Sequence, residues 1–357
     1  MVELAVLLYL SSLLRMGKAK VAFEKSRGLV LLTMLSRRTV LLGGVMTGAA
    51  GLLRRAGVIH AAASQPLTKV SFAMPPGATD CAVHVFGDTK RHPYWQGRTY
   101  TPEPATVAEL KQVMRAIGFD RVVVVQASTY GTDNSCVVDS IRELGSGARG
   151  VAVIDEKTTE ASLDDMHRGG IRGIRLSLGN QGGTDPAATR QLLKVAAERM
   201  KNRKGWSILI SGSPATFAVV RDEIASISVP IVIDHFGEPR VEDGTAQPGF
   251  TTVLSLVKSG KAYVKLSNAD NLTRKADLSD MTPYAKALIA ANPERIVWGT
   301  AWPHPSAGTV PGRKSTDLAV HRAVDDGRVM NMLPVWAPDA ALRKMILVDN
   351  PARLYGF

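Results

Sequence analysis

From residue 80 onward, short apolar runs alternate with stretches of helical spacing. The runs are Asp80–Phe86, Arg121–Gln126 with four successive valines, Gly150–Ile154, Ile171–Leu178, Ser207–Ile210, Val229–Asp234, Ala262–Leu266 and Arg295–Trp298. Each is short and rich in β-branched or other apolar residues, as strands buried on both faces require. Between them, Val107–Ile117, Ser135–Leu144, Asp164–Arg168, Ala187–Lys201, Ala215–Ser226, Phe250–Ser259 and Pro283–Ala291 repeat apolar residues at helical intervals, and Ala340–Val348 does so near the end. Eight strands alternating with helices predict a parallel sheet closed into a single (β/α)8 TIM-like barrel. No Gly-x-Gly-x-x-Gly follows the first strand, which removes the dinucleotide-binding alternative; there is also no Walker-type loop and no repeat.

The amino-terminal segment breaks this pattern. Ser36-Arg37-Arg38-Thr39-Val40-Leu41-Leu42, the weakly apolar Gly43–Leu53 and Ala61-Ala62-Ala63 read as the n-region, h-region and cleavage site of an export signal, and resemble a twin-arginine signal. Residues 1–63 are therefore set apart as an export segment, with 1–33 an over-extended start before Met34, 64–79 a lead-in and 80–357 the barrel. The expected location is periplasmic, with no stable membrane span in the mature form, because the apolar run is short and cut by Arg54-Arg55. The formal charge of +12 changes meaning on this division. Residues 1–63 hold nine Lys/Arg against Glu3 and Glu24, a net of +7, which leaves +5 for the rest and no basic run that would track a nucleic-acid backbone. Cys81 and Cys136 fit no metal or redox spacing and are expected as buried free thiols.

In such barrels the reactive groups sit at the carboxyl ends of the strands. His84 ends the first run, Ser128, Thr129 and Tyr130 follow the second, Arg175 lies in the fourth, Asp234-His235 ends the sixth, Ser267-Asn268 follow the seventh and His304 follows the eighth. Each has a bland alternative. His84 suits a hydrogen-bonded core histidine, Asp234 could orient His235 as a structural pair, and Ser128 and Thr129 could cap the helix beginning near Asn134. Arg175 inside an apolar strand needs an anion, from the protein or from a substrate.

Several segments resemble the amidohydrolase superfamily, in the branch of 2-pyrone-4,6-dicarboxylate lactonases. Asp80-Cys81-Ala82-Val83-His84-Val85-Phe86-Gly87 is similar to the first-strand Asp-x-His-x-His-x-Phe-Gly. Gln126–Asn134, Gly170–Arg175, Ile233–Pro239, Val264–Ser267, Trp298–Pro305 and the ending Asn350-Pro351-Ala352 resemble the later segments. The resemblance implies water attack on a lactone carbonyl: the eighth-strand aspartate as base, histidines of strands one and six polarising the carbonyl, and the strand-four arginine holding a carboxylate. Ser128, Thr129, Arg175 and His304 are thereby expected to bind a small lactone or carboxylated ring. No cofactor and no divalent metal are expected, as in that branch.

Two positions depart from the pattern. Ala82 stands where the branch has its first histidine and Ala301 where it has its aspartate. Alanine neither takes a proton nor binds metal, so the lactone hydrolase expected from the resemblance is impaired or inactive as written. The pair reads as deliberate replacement that traps a bound substrate, or as a natural non-catalytic descendant. Asn180-Gln181 and Asn271 stand near places where dicarboxylate-cleaving members carry further arginines, which implies a substrate with one carboxylate or none, unless Arg98 or Arg274 supplies the charge. The competing readings are a sugar-lactone isomerase of the same family and a non-catalytic exported binding protein, with a zinc-dependent decarboxylase weakest.

Overall fold

The computed structural model describes residues 63–178, 185–308 and 311–357. Its frame is one eight-stranded parallel sheet in sequential order. The strands are β1 (Thr79–Val83), β2 (Arg121–Val125), β3 (Ala148–Ala152), β4 (Ile171–Ser177), β5 (Ser207–Ser211), β6 (Ile231–Ile233), β7 (Ala262–Leu266) and β8 (Ile296–Trp298). Backbone bonds from Ala301 N to Ala82 O (2.8 Å) and from His84 N to Trp302 O (2.9 Å) bring the ends of the first and last strands together. The result is the (β/α)8 barrel that the alternating pattern predicts. The helices between the strands are α1 (Val107–Ile117), α2 (Ser135–Leu144), α3 (Glu160–Arg168), α4 (Pro186–Met200), α5 (Pro214–Val219), α6 (Arg221–Ser226), α7 (Pro248–Lys258) and α8 (Thr282–Ala291). Among the described residues no helix is long and apolar enough to cross a membrane. The export reading of residues 1–62 and the departure at Asn180-Gln181 lie outside the described residues.

Local chemistry explains where the elements start. Thr106 and Glu109 form a reciprocal capping box at the head of α1, and Gly118 closes it at φ 97°. The strand interiors split by parity. One set packs on the helices; the other, Cys81, Val123, Val151, Leu209, Val232, Tyr263 and Val297, fills the barrel and meets Leu354 and Tyr355 of the final helix. The Asn-Pro-Ala ending is an anchor for that plug: buried Asn350 donates to Pro293 O (2.8 Å) and Ile296 O (2.7 Å) at the entrance to β8. Cys81 and Cys136 are both buried and free.

Three of the departures from the expected boundaries have a visible reason. The third strand runs two residues earlier than Gly150–Ile154, because the side chain of Asn134 takes both Val153 N (2.9 Å) and Val153 O (2.8 Å) out of the sheet. Arg149 is accommodated inside the strand by donating to Ala148 O and Gly356 O at 2.8 and 2.7 Å. The stretch Ala215–Ser226 is two helices, broken where the stiff β-branched Val220 is buried at φ −102°, ψ 14°. Ala340–Val348 becomes α9 (Ala340–Lys344), a π-turn over Met345–Asp349 and α10 (Asn350–Tyr355), since Pro351 has no N–H to close on Leu347.

Candidate active site

The carboxyl ends of the strands surround a cavity of about 440 Å³. His84, Ser128, Arg175, His235, Ala301 and His304 all line it, together with Tyr100, Asn268, Asn271 and Arg322. Two predicted positions lie elsewhere. Thr129 is fully buried within the 3-10 turn Ser128–Tyr130 and neither lines the cavity nor caps α2. Ala82 sits beneath the floor, so close to Gly299 that a Cβ there would stand 2.5 Å from its own. A larger cleft, about 540 Å³, lies among Glu160, Asp164, Arg203 and Trp206, away from the strand ends. Its acidic groups are taken up by Arg199, Lys201 and Arg203, the last meeting Asp164 at 2.9 Å.

The mouth is built on an irregular β1 and an irregular loop after β8. The register with β2 shifts between Asp80 and Val83. Buried Asp80 fixes this region: its carboxylate accepts from Ala82 N (3.0 Å), Thr300 N (3.0 Å) and Thr300 Oγ1 (2.6 Å). Burial nevertheless pushes Asp80 up to about 6. Ala301 and His304 then take φ of 71° and 62°, while His235 and Phe236 take 51° and 58° after β6. Non-glycine residues in this region cost energy and gather where a site constrains the chain.

The two strand-end histidines present different faces. His84 Nδ1 lies 2.8 Å from Val125 O, a carbonyl that only accepts, so the neutral ring carries its proton there and offers Nε2 as a lone pair. Burial and the Arg175 charge hold His84 down at about 3, so it stays neutral across ordinary pH. His235 Nδ1 meets Ser267 Oγ at 2.8 Å, a hydroxyl that both donates and accepts; with Ser267 donating, the ring presents Nε2–H as a donor. Of the pair expected to polarise a carbonyl, only His235 can donate. Asp234 does not orient it: that carboxylate turns to the fully buried Lys265, Oδ1 to Nζ 3.3 Å.

Arg175 donates Nη1 to Gln126 O at 3.2 Å, while its buried Nε has no partner. Among the described residues no carboxylate pairs with it. Arg98 and Arg274 stay off the cavity, held by Thr101 (2.8 Å) and Leu272 O (3.1 Å). The second guanidinium is Arg322, paired with Asp270 and donating to Asn268 at 2.9 Å. It comes from the chain crossing after β8, with no strand pattern to mark it. Asp326 was equally hidden, next to Asp325, whose carboxylate caps the short helix that begins there. Asp326 is buried and meets His304 Nε2 at 3.0 and 3.1 Å. Tyr100, pushed by burial up to about 12, completes the wall from a loop.

Burial alone would lower His304, but Asp326 and then Asp270 hold it above its ordinary value. A raised histidine contributes stability fully below its unfolded value near 6.5, and that contribution fades as pH rises through the folded value. The melting temperature should therefore fall on going from pH 6 to 9, and Asp326→Asn should flatten this slope; an unchanged slope would remove the linkage.

Ala82 offers no donor, and among the described residues no three His, Cys, Asp or Glu gather as a metal group. The donor set does not fit a divalent ion.

The chain is similar to known hydrolases. It is 33% identical over 291 residues to a 4-sulfomuconolactone hydrolase of Rhizobium radiobacter, covering 80% of this chain and 92% of that protein. It is 32% identical over 298 residues to a 2-pyrone-4,6-dicarboxylate hydrolase of Comamonas testosteroni, covering 81% and 93%. A solved Pseudomonas putida chain named for 2-pyrone-4,6-dicarboxylic acid hydrolase superposes with a TM-score of 0.64 at 29% identity, over 79% of this chain and 98% of that one. The profile of the Amidohydrolase family matches residues 79–357, and the chain belongs to that family.

Proposed function

We propose that this chain binds a small lactone carrying one acidic group and hydrolyses it far more slowly than a member with an intact base would. The observation that carries the reading is the cavity lining: it includes Arg175, Arg322, His84, His235 and His304, and no Asp or Glu among the described residues. Arg322 is neutralised by Asp270, so Arg175 supplies the unbalanced charge that an acidic substituent would meet. His235 Nε2–H then donates to the lactone carbonyl, and His84 accepts a hydrogen bond from the attacking water. A base held near 3 draws a proton from water weakly, which makes turnover slow. The lactone-cleaving names of the relatives support the reaction class. With no metal donor set among the described residues, the proposed chemistry is assigned to these side chains.

The test is binding. A monoacidic lactone should raise the melting temperature of the parent chain, while the matching neutral lactone should not. Arg175→Met should weaken the acidic ligand about 10- to 100-fold, the worth of a lost charge-assisted bond. Equal affinity for both ligands, or an unchanged affinity in Arg175→Met, would defeat the proposal. The binding-protein reading is favoured by the same missing carboxylate: tight binding with no turnover, even after a base is restored, would select it. We also place the mature chain in the periplasm, exported by residues 1–63; fractionation of cells expressing the full chain tests this.

A further inference from the structure

Outside the barrel mouth, the loop after β1 lays His92 against the head of α2. His92 Nδ1 is 3.0 Å from Ser135 Oγ, and its Nε2 is 3.5 Å from Asp139 Oδ2. Ser135 is exposed, whereas the imidazole is buried. Asp139 is itself held by Arg91 at 2.6 Å and Arg142 at 2.5 Å. With the imidazole proton on Nε2, facing Asp139, Nδ1 is free to accept from the serine hydroxyl. Ser135 is the first residue of a ten-residue helix whose cap residue, Asn134, places no side chain on the helix N–H groups. Ser135 N donates to Asp133 Oδ1 (3.0 Å) and Val138 N to Asn134 O (3.1 Å), which among the described residues leaves the N–H groups of Cys136 and Val137 as the unpaired first-turn donors next to Ser135. A cavity of about 440 Å³ adjoins, lined by Val85, Gly87, His92, Thr106, Cys136 and Asp139, and it shares no lining residue with the barrel mouth.

We infer that Ser135, His92 and Asp139 form a second, serine-nucleophile site that takes short-chain carboxylic esters. Ser135 Oγ bonds to the ester carbonyl carbon as its proton passes to His92 Nδ1. The carbon–oxygen bond to the alcohol then breaks, and His92 returns the proton to the departing alkoxide. Water attacks the acyl-serine, releasing the acid and restoring the hydroxyl. No metal, cofactor or redox partner enters.

The test uses the full chain with a fluorophosphonate probe and peptide mapping, followed by p-nitrophenyl acetate. One label on Ser135 is expected, absent in Ser135→Ala, with a burst of one equivalent of p-nitrophenol that the same variant loses. His92→Gln should label about 10²-fold more slowly while melting as the parent does. If that variant does not fold, the Ser135→Ala burst decides. No label, a label on Ser128 or another serine, or a burst surviving Ser135→Ala would overturn the inference.

Discussion

Ala301→Asp should raise lactone hydrolysis by about 10²–10⁴-fold over the parent chain, the contribution a positioned general base typically makes. The geometry favours this change. Ala301 lines the cavity, is only 8% exposed, and takes φ 71°, a region that aspartate tolerates better than alanine does because its short polar side chain bonds locally. A carboxylate there would face the same cavity as His84 and His235, and would take the water's proton that neutral His84 takes so poorly. Hydrolysis of an acidic lactone, followed by the loss of its ring absorbance and by product analysis, measures the gain. Adding Ala82→His supplies the second departure, but its position under the floor against Gly299 makes it the smaller effect. If the product is a rearranged ring rather than an opened one, the sugar-lactone isomerase reading replaces hydrolysis. A variant with Asp at 301 that turns over no faster than the parent would refute the assignment of the missing base.

The barrel was legible because its strands are buried on both faces, so β-branched runs such as Val122–Val125 stand out from the amphipathic helices between them. The strand-end residues were legible for the same reason: a charge such as Arg175 at the end of an apolar run has few structural uses. What escaped was long-range pairing. Arg322 reaches Asp270 and Asn268 from 52 and 54 residues away, and Asp326 reaches His304 across 22, in a crossing chain whose local pattern announces only a helix cap. Thr129 lies off the cavity because the chain after β2 turns as the 3-10 helix Ser128–Tyr130, which buries Thr129 while Ser128 lines the cavity, and spacing alone does not say which of the two will. Asp234 was weighed as a structural partner of His235 from adjacency, yet it follows β6 while His235 opens the 3-10 turn beyond it, and its ion-pair partner is Lys265 on the neighbouring strand.

That pair gives the second large effect. Lys265→Met should destabilise the fold by about 3–5 kcal/mol, because it leaves Asp234 as an uncompensated buried carboxylate. Lys265 is fully buried and its ammonium lies 3.3 Å from Asp234 Oδ1 as an ion pair. Burial pushes Asp234 up, but Lys265 first, then His235 and Arg175, outweigh it and hold the carboxyl at about 2. The sign follows. A depressed carboxylate contributes stability above its unfolded value near 3.8, and loses that contribution as pH falls through about 2. In Lys265→Met the counter-charge is gone, burial prevails, and Asp234 takes a proton at higher pH than in the parent. The deficit measured by urea unfolding should thus be largest near neutral pH and narrow as pH falls toward about 2, where both chains approach a protonated Asp234. Asp234→Leu with Lys265→Met should recover most of the loss, since two apolar side chains often replace a buried pair without cost. His235 would keep its orientation through Ser267 in both variants, so binding of an acidic lactone should survive in the double variant. A cost under about 1 kcal/mol in Lys265→Met, or a deficit independent of pH, would show that the pair is not what balances the charge under the site.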